Sequence, residues 1–338
     1  MTRGARFPAA DEKENEMSLY DLLLSGDLMV HDADHTAEQI VSKLEIHGHA
    51  NWRQAFPGHP YVAHFLRVHK SLAVSPTRVE PQGHLDFPNH GDPMFPGFLK
   101  SLEDFQGPFR PIKTHATVLV SDNIGGVVEH LLSKNQPFRL AQLTPEMPFD
   151  RLWVGCTPEN PVYEPSVDGG LCIEVIPLAA IQMPAEAFTT PPPRPRDPKP
   201  GDMVRVVGRG FLVRDLDDVL RRLDQNLDLQ PASPVEQLDG EGYKIARIGF
   251  NLGTSATLDV IQPTQWDSPS GRYLHNWGPG PHYIRISVNG LDAKAERLRA
   301  LGVRFERIEH SEAVGGALLR VDPAELGGAI FEFCEDRG

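Results

Sequence analysis

The chain has 338 residues, 40% hydrophobic and 23% charged, a balance that suits a globular protein with room for two domains. A formal charge of −13 argues against a nucleic-acid backbone or an anionic membrane surface as partner. No apolar run approaches the roughly 20 residues of a membrane helix, and three cysteines without CxxC spacing (Cys156, Cys172, Cys334) predict reduced, inert thiols and a cytoplasmic location.

In chain order, residues 1–17 (MTRGARFPAADEKENEM) are polar with no apolar centre and read as a disordered tail, not a signal peptide. GDLMVHDADHTAEQIVSKLEIHG then shows a short apolar strand, an acidic turn and a helix with Ile40, Val41 and Leu44 at helical spacing. Ten of the fourteen histidines lie between His31 and His115. They include His47 and His49, an HxH pair that a strand would place on one face, but the loop-like ANWRQAFPGHP that follows favours dispersed surface histidines. A second strand–turn–helix, HATVLVSDNIGGVVEHLLSKNQPF, aligns Ile124, Val127, Val128, Leu131 and Leu132.

TTPPPRPRDPKPG disfavours helix and central strand and predicts an extended linker over residues 187–201. The third unit is the plainest: in GFLVRDLDDVLRRLDQNLDLQP a strand over Phe211–Val213 precedes a cap near Asp215, and Leu216, Val219, Leu220, Leu223 and Leu227 share a helical face. The fourth, HYIRISVNGLDAKAERLRALGVRF, alternates Ile284, Ile286 and Val288 before a helix that stops at Gly302. Three further strands are expected after each helix. The last strand of units two to four also recurs, as GGLCIEVIP, ATLDVIQP and GGAIFEF, each carrying one carboxylate: Glu174, Asp259 and Glu332. An ionised carboxylate in a buried strand is costly unless paired or bound to a metal.

A βαβββ unit used in pairs, with YLHNWGPGPHYIRISV and GGALLRVDPAELGGAIFEF in its most telling copy, resembles the vicinal oxygen chelate superfamily of glyoxalase I, methylmalonyl-CoA epimerase and the extradiol dioxygenases. The resemblance is strongest over Asp202–Asp336 and weaker over Lys113–Ala180. It implies an α+β fold of four modules in two tandem domains: an N-terminal one over 18–186 (modules about 18–105 and 110–186) and a C-terminal one over 202–338 (modules about 202–265 and 278–338). Units could also pair across the linker, one with four and two with three.

The same resemblance implies a divalent cation (Mn, Co, Zn, Mg or Fe) held between the first and last strands of a unit. Counting back from the acidic turn puts the first-strand ligands at His282 and His115, with Glu332, Asp259 and Glu174 on the last strands. The same count lands on Gly208 and Ser25 in units three and one, so one expected histidine is absent. Leu319 likewise stands where ring-cleaving members have a tyrosine.

The implied function is a metal-dependent enzyme on a small oxygen-bearing substrate, an epimerase, isomerase or lyase working through an enolate, with Asp259 or His310 moving a proton. The alternatives are a ring-cleaving oxygenase with altered ligands, and a non-catalytic binder whose pocket uses Trp277, Tyr273 and Trp153. No P-loop, GxGxxG, GxSxG or HExxH motif competes with these readings.

Overall fold

A computed structural model describes residues 18–30, 33–46, 51–55, 62–68, 73–78, 113–141, 151–157, 159–160, 162–177 and 197–337. The expected tail, the His47/His49 pair and most of the expected linker lie outside them.

The first half contains β1 (Leu22–Val30), α1 (Ala33–Leu44), β2 (Asn51–Ala55), β3 (Val62–Arg67), β4 (Ala73–Arg78), β5 (Lys113–Ser121), α2 (Ile124–Ser133), β6 (Phe138–Ala141), β7 (Arg151–Val154) and β8 (Ile173–Pro177). The second contains β9 (Met203–Leu212), α3 (Leu216–Leu227), β10 (Glu236–Leu238), β11 (Tyr243–Ile248), β12 (Thr257–Pro263), α4 (Pro269–Trp277), β13 (Gly280–Val288), α5 (Leu291–Ala300), β14 (Phe305–Ser311), β15 (Gly316–Val321) and β16 (Ile330–Glu335).

Among the described residues each half forms one eight-stranded sheet, ordered β2-β3-β4-β1-β5-β8-β7-β6 and β10-β11-β12-β9-β13-β16-β15-β14. Within each unit the first and last strands run parallel, as β1 with β4, β5 with β8, β9 with β12 and β13 with β16. The two units of a half join antiparallel through their first strands, β1 to β5 and β9 to β13. Unit one therefore shares a sheet with unit two and unit three with unit four, and among the described residues no strand pairs across the linker.

Local chemistry explains the helices. The Asp215 side chain accepts a hydrogen bond from the Asp218 amide at 3.0 Å, and Asp217 and Asp218 add negative charge at the N-terminal end of α3. Leu216, Val219, Leu223 and Leu227 then fall on one buried stripe, each worth about 1.5–3 kcal/mol in transfer from water. Asp228 closes the helix in the left-handed region at φ 53°.

Helices and strand faces from both halves belong to one apolar cluster, joining Leu23, Ile40 and Val127 to Leu216, Leu298 and Phe331. Polar contacts lock the seam between the halves. Lys43 Nζ meets Glu325 Oε2 at 2.8 Å, the buried Lys294 donates to the Leu44 carbonyl at 3.2 Å, and Asn226 donates to the Val167 carbonyl at 2.8 Å. Unit one thus abuts unit four, and unit two abuts unit three. Among the described residues no helix is long and apolar enough to cross a membrane.

The strands of the C-terminal sheet alternate as their pleat requires. Phe331 and Phe333 point into the apolar cluster shared with the helices, which turns Glu332 to the other face. That second face is concave and holds a smaller apolar cluster of Leu212, Leu238, Tyr243, Ile245, Ile261, Tyr283 and Ala313, with Tyr273 and Leu274 of α4 packed on it.

Candidate functional site

The register places one polar row across the C-terminal sheet. Asp259 of β12 lies opposite Arg247 of β11, Gly208 of β9 opposite Arg285 of β13, Arg285 beside Glu332 of β16, and Glu332 opposite Arg320 of β15. The Glu332 carboxylate is 1% exposed and fully engaged. Its Oε2 accepts from Arg285 Nε at 3.0 Å and Nη2 at 2.8 Å, and its Oε1 accepts from Arg320 Nε at 2.9 Å. Burial alone would raise its pKa, but the two guanidinium groups outweigh burial and hold it below the usual carboxylate range.

Asp259 is equally buried, and both its oxygens are occupied. Tyr283 donates to Oδ2 at 2.5 Å and Thr257 to Oδ1 at 2.7 Å. Arg285 Nη1 stands 3.8 Å from Oδ2, and the guanidinium lies 4.3 Å from the centre of the Tyr283 ring. Burial raises the Asp259 pKa and prevails over the opposing pull of Arg285 and these hydrogen bonds. The shifts of the two carboxyl groups of the row therefore run in opposite directions, down for Glu332 and up for Asp259.

The two glycines of β9 make this arrangement possible. A Cβ on Gly208 would stand 2.9 Å from Asp259 Oδ2, and one on Gly210 would stand 2.7 Å from the Tyr283 ring. A side chain at either position needs the row to move.

Several expected site residues sit elsewhere. The hydrogen-bond partners of Glu332 are Arg285 and Arg320, not His282. His282 lies three residues before Arg285, across a break in the β13–β9 register, and lines a space of about 20 Å3 with Arg209, Tyr273, Ile284 and Ala329. Its ring meets Tyr273 edge-on at 5.3 Å between centroids. The residue beside Glu332 is Arg285. Counting from the turn misses it because the β13–β9 ladder shifts register between Pro281 and Ile284. His310 is exposed on the edge strand β14, away from the polar row.

In the N-terminal sheet Glu174 is buried and meets Arg151 Nη1 at 3.2 Å, with Val118 of β5 beside it in register. His115 lies on β5 three residues before Val118, and its side chain, like that of Ser25, is outside the described residues. Trp153 is buried in β7, and the Trp277 side chain is not described.

Arg285, Arg320 and Tyr283 are the site residues that pattern reading missed. For the two arginines the signal was a charged residue at one inward position of an otherwise apolar strand, the same signal that exposed Glu332.

A divalent cation in this cup would require Glu332 to release two arginines and would face the Arg285 guanidinium as its next neighbour. Among the described residues no group of three His, Cys, Asp or Glu side chains converges in ligating geometry. The donor set of the C-terminal cup does not fit a metal ion: the positive charge that a buried carboxylate demands is already supplied by guanidinium.

Beyond the row the cup opens into a cavity of about 310 Å3. Arg285 and Asp259 form its floor, Arg205, Arg247 and Arg337 its charged rim, and Val207, Val314 and Ala317 an apolar wall.

No family model matches the chain. A stretch of 92 residues is 29% identical to an uncharacterized protein, YqjC, of Bacillus subtilis, covering 27% of this chain and 66% of that one, just under two thirds of its length. Among solved structures, a variant of 4-hydroxymandelate synthase from Streptomyces coelicolor matches 95% of this chain and 94% of its own with a TM-score of 0.62 at 14% identity. Methylmalonyl-CoA epimerase from Mycobacterium tuberculosis matches 40% of this chain and 88% of its own at 25% identity, with a TM-score of 0.36. The full-length match shows a shared two-domain fold.

Proposed function

For a chain that carries the vicinal oxygen chelate fold as two tandem domains, we propose a small-molecule site in the C-terminal cup that works without a metal ion. The observation that carries this reading is Arg285, bonded twice to Glu332 and 3.8 Å from Asp259. Because Arg285 and Arg320 share the one Glu332 carboxylate, Arg285 keeps part of its positive charge in a low-dielectric floor, which is what stabilises a developing oxyanion. Asp259, with its pKa raised by burial, is the group that can exchange a proton with a carbon next to that oxygen.

The chemistry supported is therefore proton transfer of the epimerase or isomerase kind on an oxygen-bearing substrate. Metal-dependent chemistry in this cup would lack the histidine expected at Gly208, and it would need Glu332, which Arg285 and Arg320 already hold. A second reading, a binder without turnover, is favoured by the hydrogen bonds that already engage both Asp259 oxygens.

The test uses EDTA-treated protein, screened by thermal shift against small oxo acids, hydroxy acids and aryl carboxylates. Each ligand found is then followed by proton NMR in deuterium oxide. Binding that survives EDTA and weakens in Arg285→Lys is expected. Exchange of a carbon-bound proton that disappears in Asp259→Asn identifies the enzyme, and binding without exchange identifies the binder. Ligand binding that appears only after a divalent ion is added would overturn the proposal.

A further inference from the structure

We infer that the ligand of this cup is a small carboxylate with an apolar body, its anionic end held by the rim arginines; the inference rests on the metal-free reading above. The rim is assembled from separate segments: Arg205 on β9, Arg247 on β11, and Arg337 just after β16. Arg205 and Arg337 are positioned by backbone carbonyls. Arg205 Nη1 donates to the Gly253 oxygen at 3.2 Å, and Arg337 Nη2 donates to the Gly315 oxygen at 2.8 Å. Arg247 Nη2 likewise donates to the Ala313 oxygen at 3.1 Å, with Glu236 on its other nitrogen.

A carbonyl orients a guanidinium without cancelling its charge. Arg205 and Arg337 have no carboxylate at ion-pair distance among the described residues, so their charge faces the cavity or solvent. Of the acidic groups lining the cavity, Glu335 is turned toward α5, accepting from the Gly290 and Leu291 amides at 2.8 and 2.7 Å, and Asp336 accepts from Ser287 at 2.9 Å. The Gly315–Gly316 turn leaves the room Arg337 needs, since a Cβ on Gly316 would come within 3.2 Å of Arg337 Nη2.

Planar guanidinium forks match planar carboxylates, so the rim selects that group by geometry as well as by charge. The wall of Val207, Ala313, Val314, Ala317 and Cys334 offers nothing polar from its side chains except a buried thiol, whose pKa burial pushes up to about 11. An apolar body fits there. A volume of about 310 Å3 is at the small end for a ligand pocket, which restricts the guest to a compact metabolite.

The probe is phenylacetate, with phenylacetamide as its neutral isostere, titrated by ligand-observed NMR in the presence of EDTA. Phenylacetate is expected to bind and phenylacetamide to bind at least tenfold more weakly. Arg205→Gln/Arg337→Gln, which leaves the floor intact and should melt like the parent protein, is expected to weaken phenylacetate at least tenfold. Absence of phenylacetate binding at millimolar probe, equal binding of the amide, or displacement by equimolar inorganic phosphate overturns the carboxylate assignment. Binding in EDTA that ignores the arginine substitutions sinks the rim and leaves the metal-free floor standing, whereas binding that demands an added divalent ion sinks the floor.

Discussion

Replacing Arg285 with methionine isolates the interaction on which the C-terminal cup depends. The substitution keeps an unbranched side chain of similar length and removes two charge-assisted hydrogen bonds, at 3.0 and 2.8 Å, from a carboxylate that is 1% exposed. It also takes the nearest cation away from Asp259. Removing one partner of a buried ion pair costs about 3–5 kcal/mol, because the other is left charged and desolvated. Arg320 still holds the second oxygen of Glu332, so a loss near the lower end, about 3 kcal/mol, is expected. That is a large part of the roughly 5–15 kcal/mol by which domains are stable.

Urea unfolding at neutral pH measures this loss directly. The double variant Arg285→Met/Glu332→Gln should recover much of it, giving a coupling energy of at least about 1 kcal/mol in the double-mutant cycle. The pH dependence gives an independent check. The Glu332 pKa is lowered in the folded protein, so its contribution is present above the ordinary carboxylate pKa and lost as pH falls through the lowered value. Without Arg285 the acid transition should move to higher pH. A loss below about 1 kcal/mol, or strict additivity in the cycle, would refute the reasoning.

Other perturbations test the scaffold. Asp168 is fully buried, and burial raises its pKa from 3.8 to about 6 despite hydrogen bonds from Tyr163 and the Gly170 and Ile173 amides. A raised folded pKa means that stability falls as pH rises from about 4 through about 6, by about 3 kcal/mol in all, and Asp168→Asn should remove that component from melts recorded across this range. Gly210→Ala should cost about 1–3 kcal/mol in urea unfolding, because its Cβ would press on the Tyr283 ring at 2.7 Å. Lys294→Met leaves the Leu44 carbonyl and Glu45 without their ammonium donor at the seam between the halves and should cost about 1–2 kcal/mol, with a single unfolding transition if the shared core holds the halves together.

The repeated unit was legible in the sequence because its signals are local. Asp215 caps a helix whose leucines recur at helical spacing, and Glu332 interrupts an apolar strand at one inward position. The choice of sheet partner was not legible, since nothing in β1 or β9 names the strand it will pair with. The sequence demanded a positive charge for each buried glutamate, and the structure supplies one each time, Arg151 for Glu174 and Arg285 with Arg320 for Glu332. What spacing could not tell was that the charge would be guanidinium. A histidine at strand spacing was the more familiar ligand, and the irregular β13–β9 ladder moved the register away from His282 toward Arg285.

Metal titration tests the displacement of a cation by Arg285 most directly. Tag-free protein is equilibrated with Mn, Co, Zn or Fe(II), dialysed, and analysed for bound metal beside Glu332→Gln and the double variant Gly208→His/Arg285→His. The parent protein should hold no stoichiometric ion in its C-terminal cup, and the double variant, with one imidazole added beside Glu332 and one beside Asp259, should gain one. One equivalent bound by the parent and lost in Glu332→Gln would contradict the account.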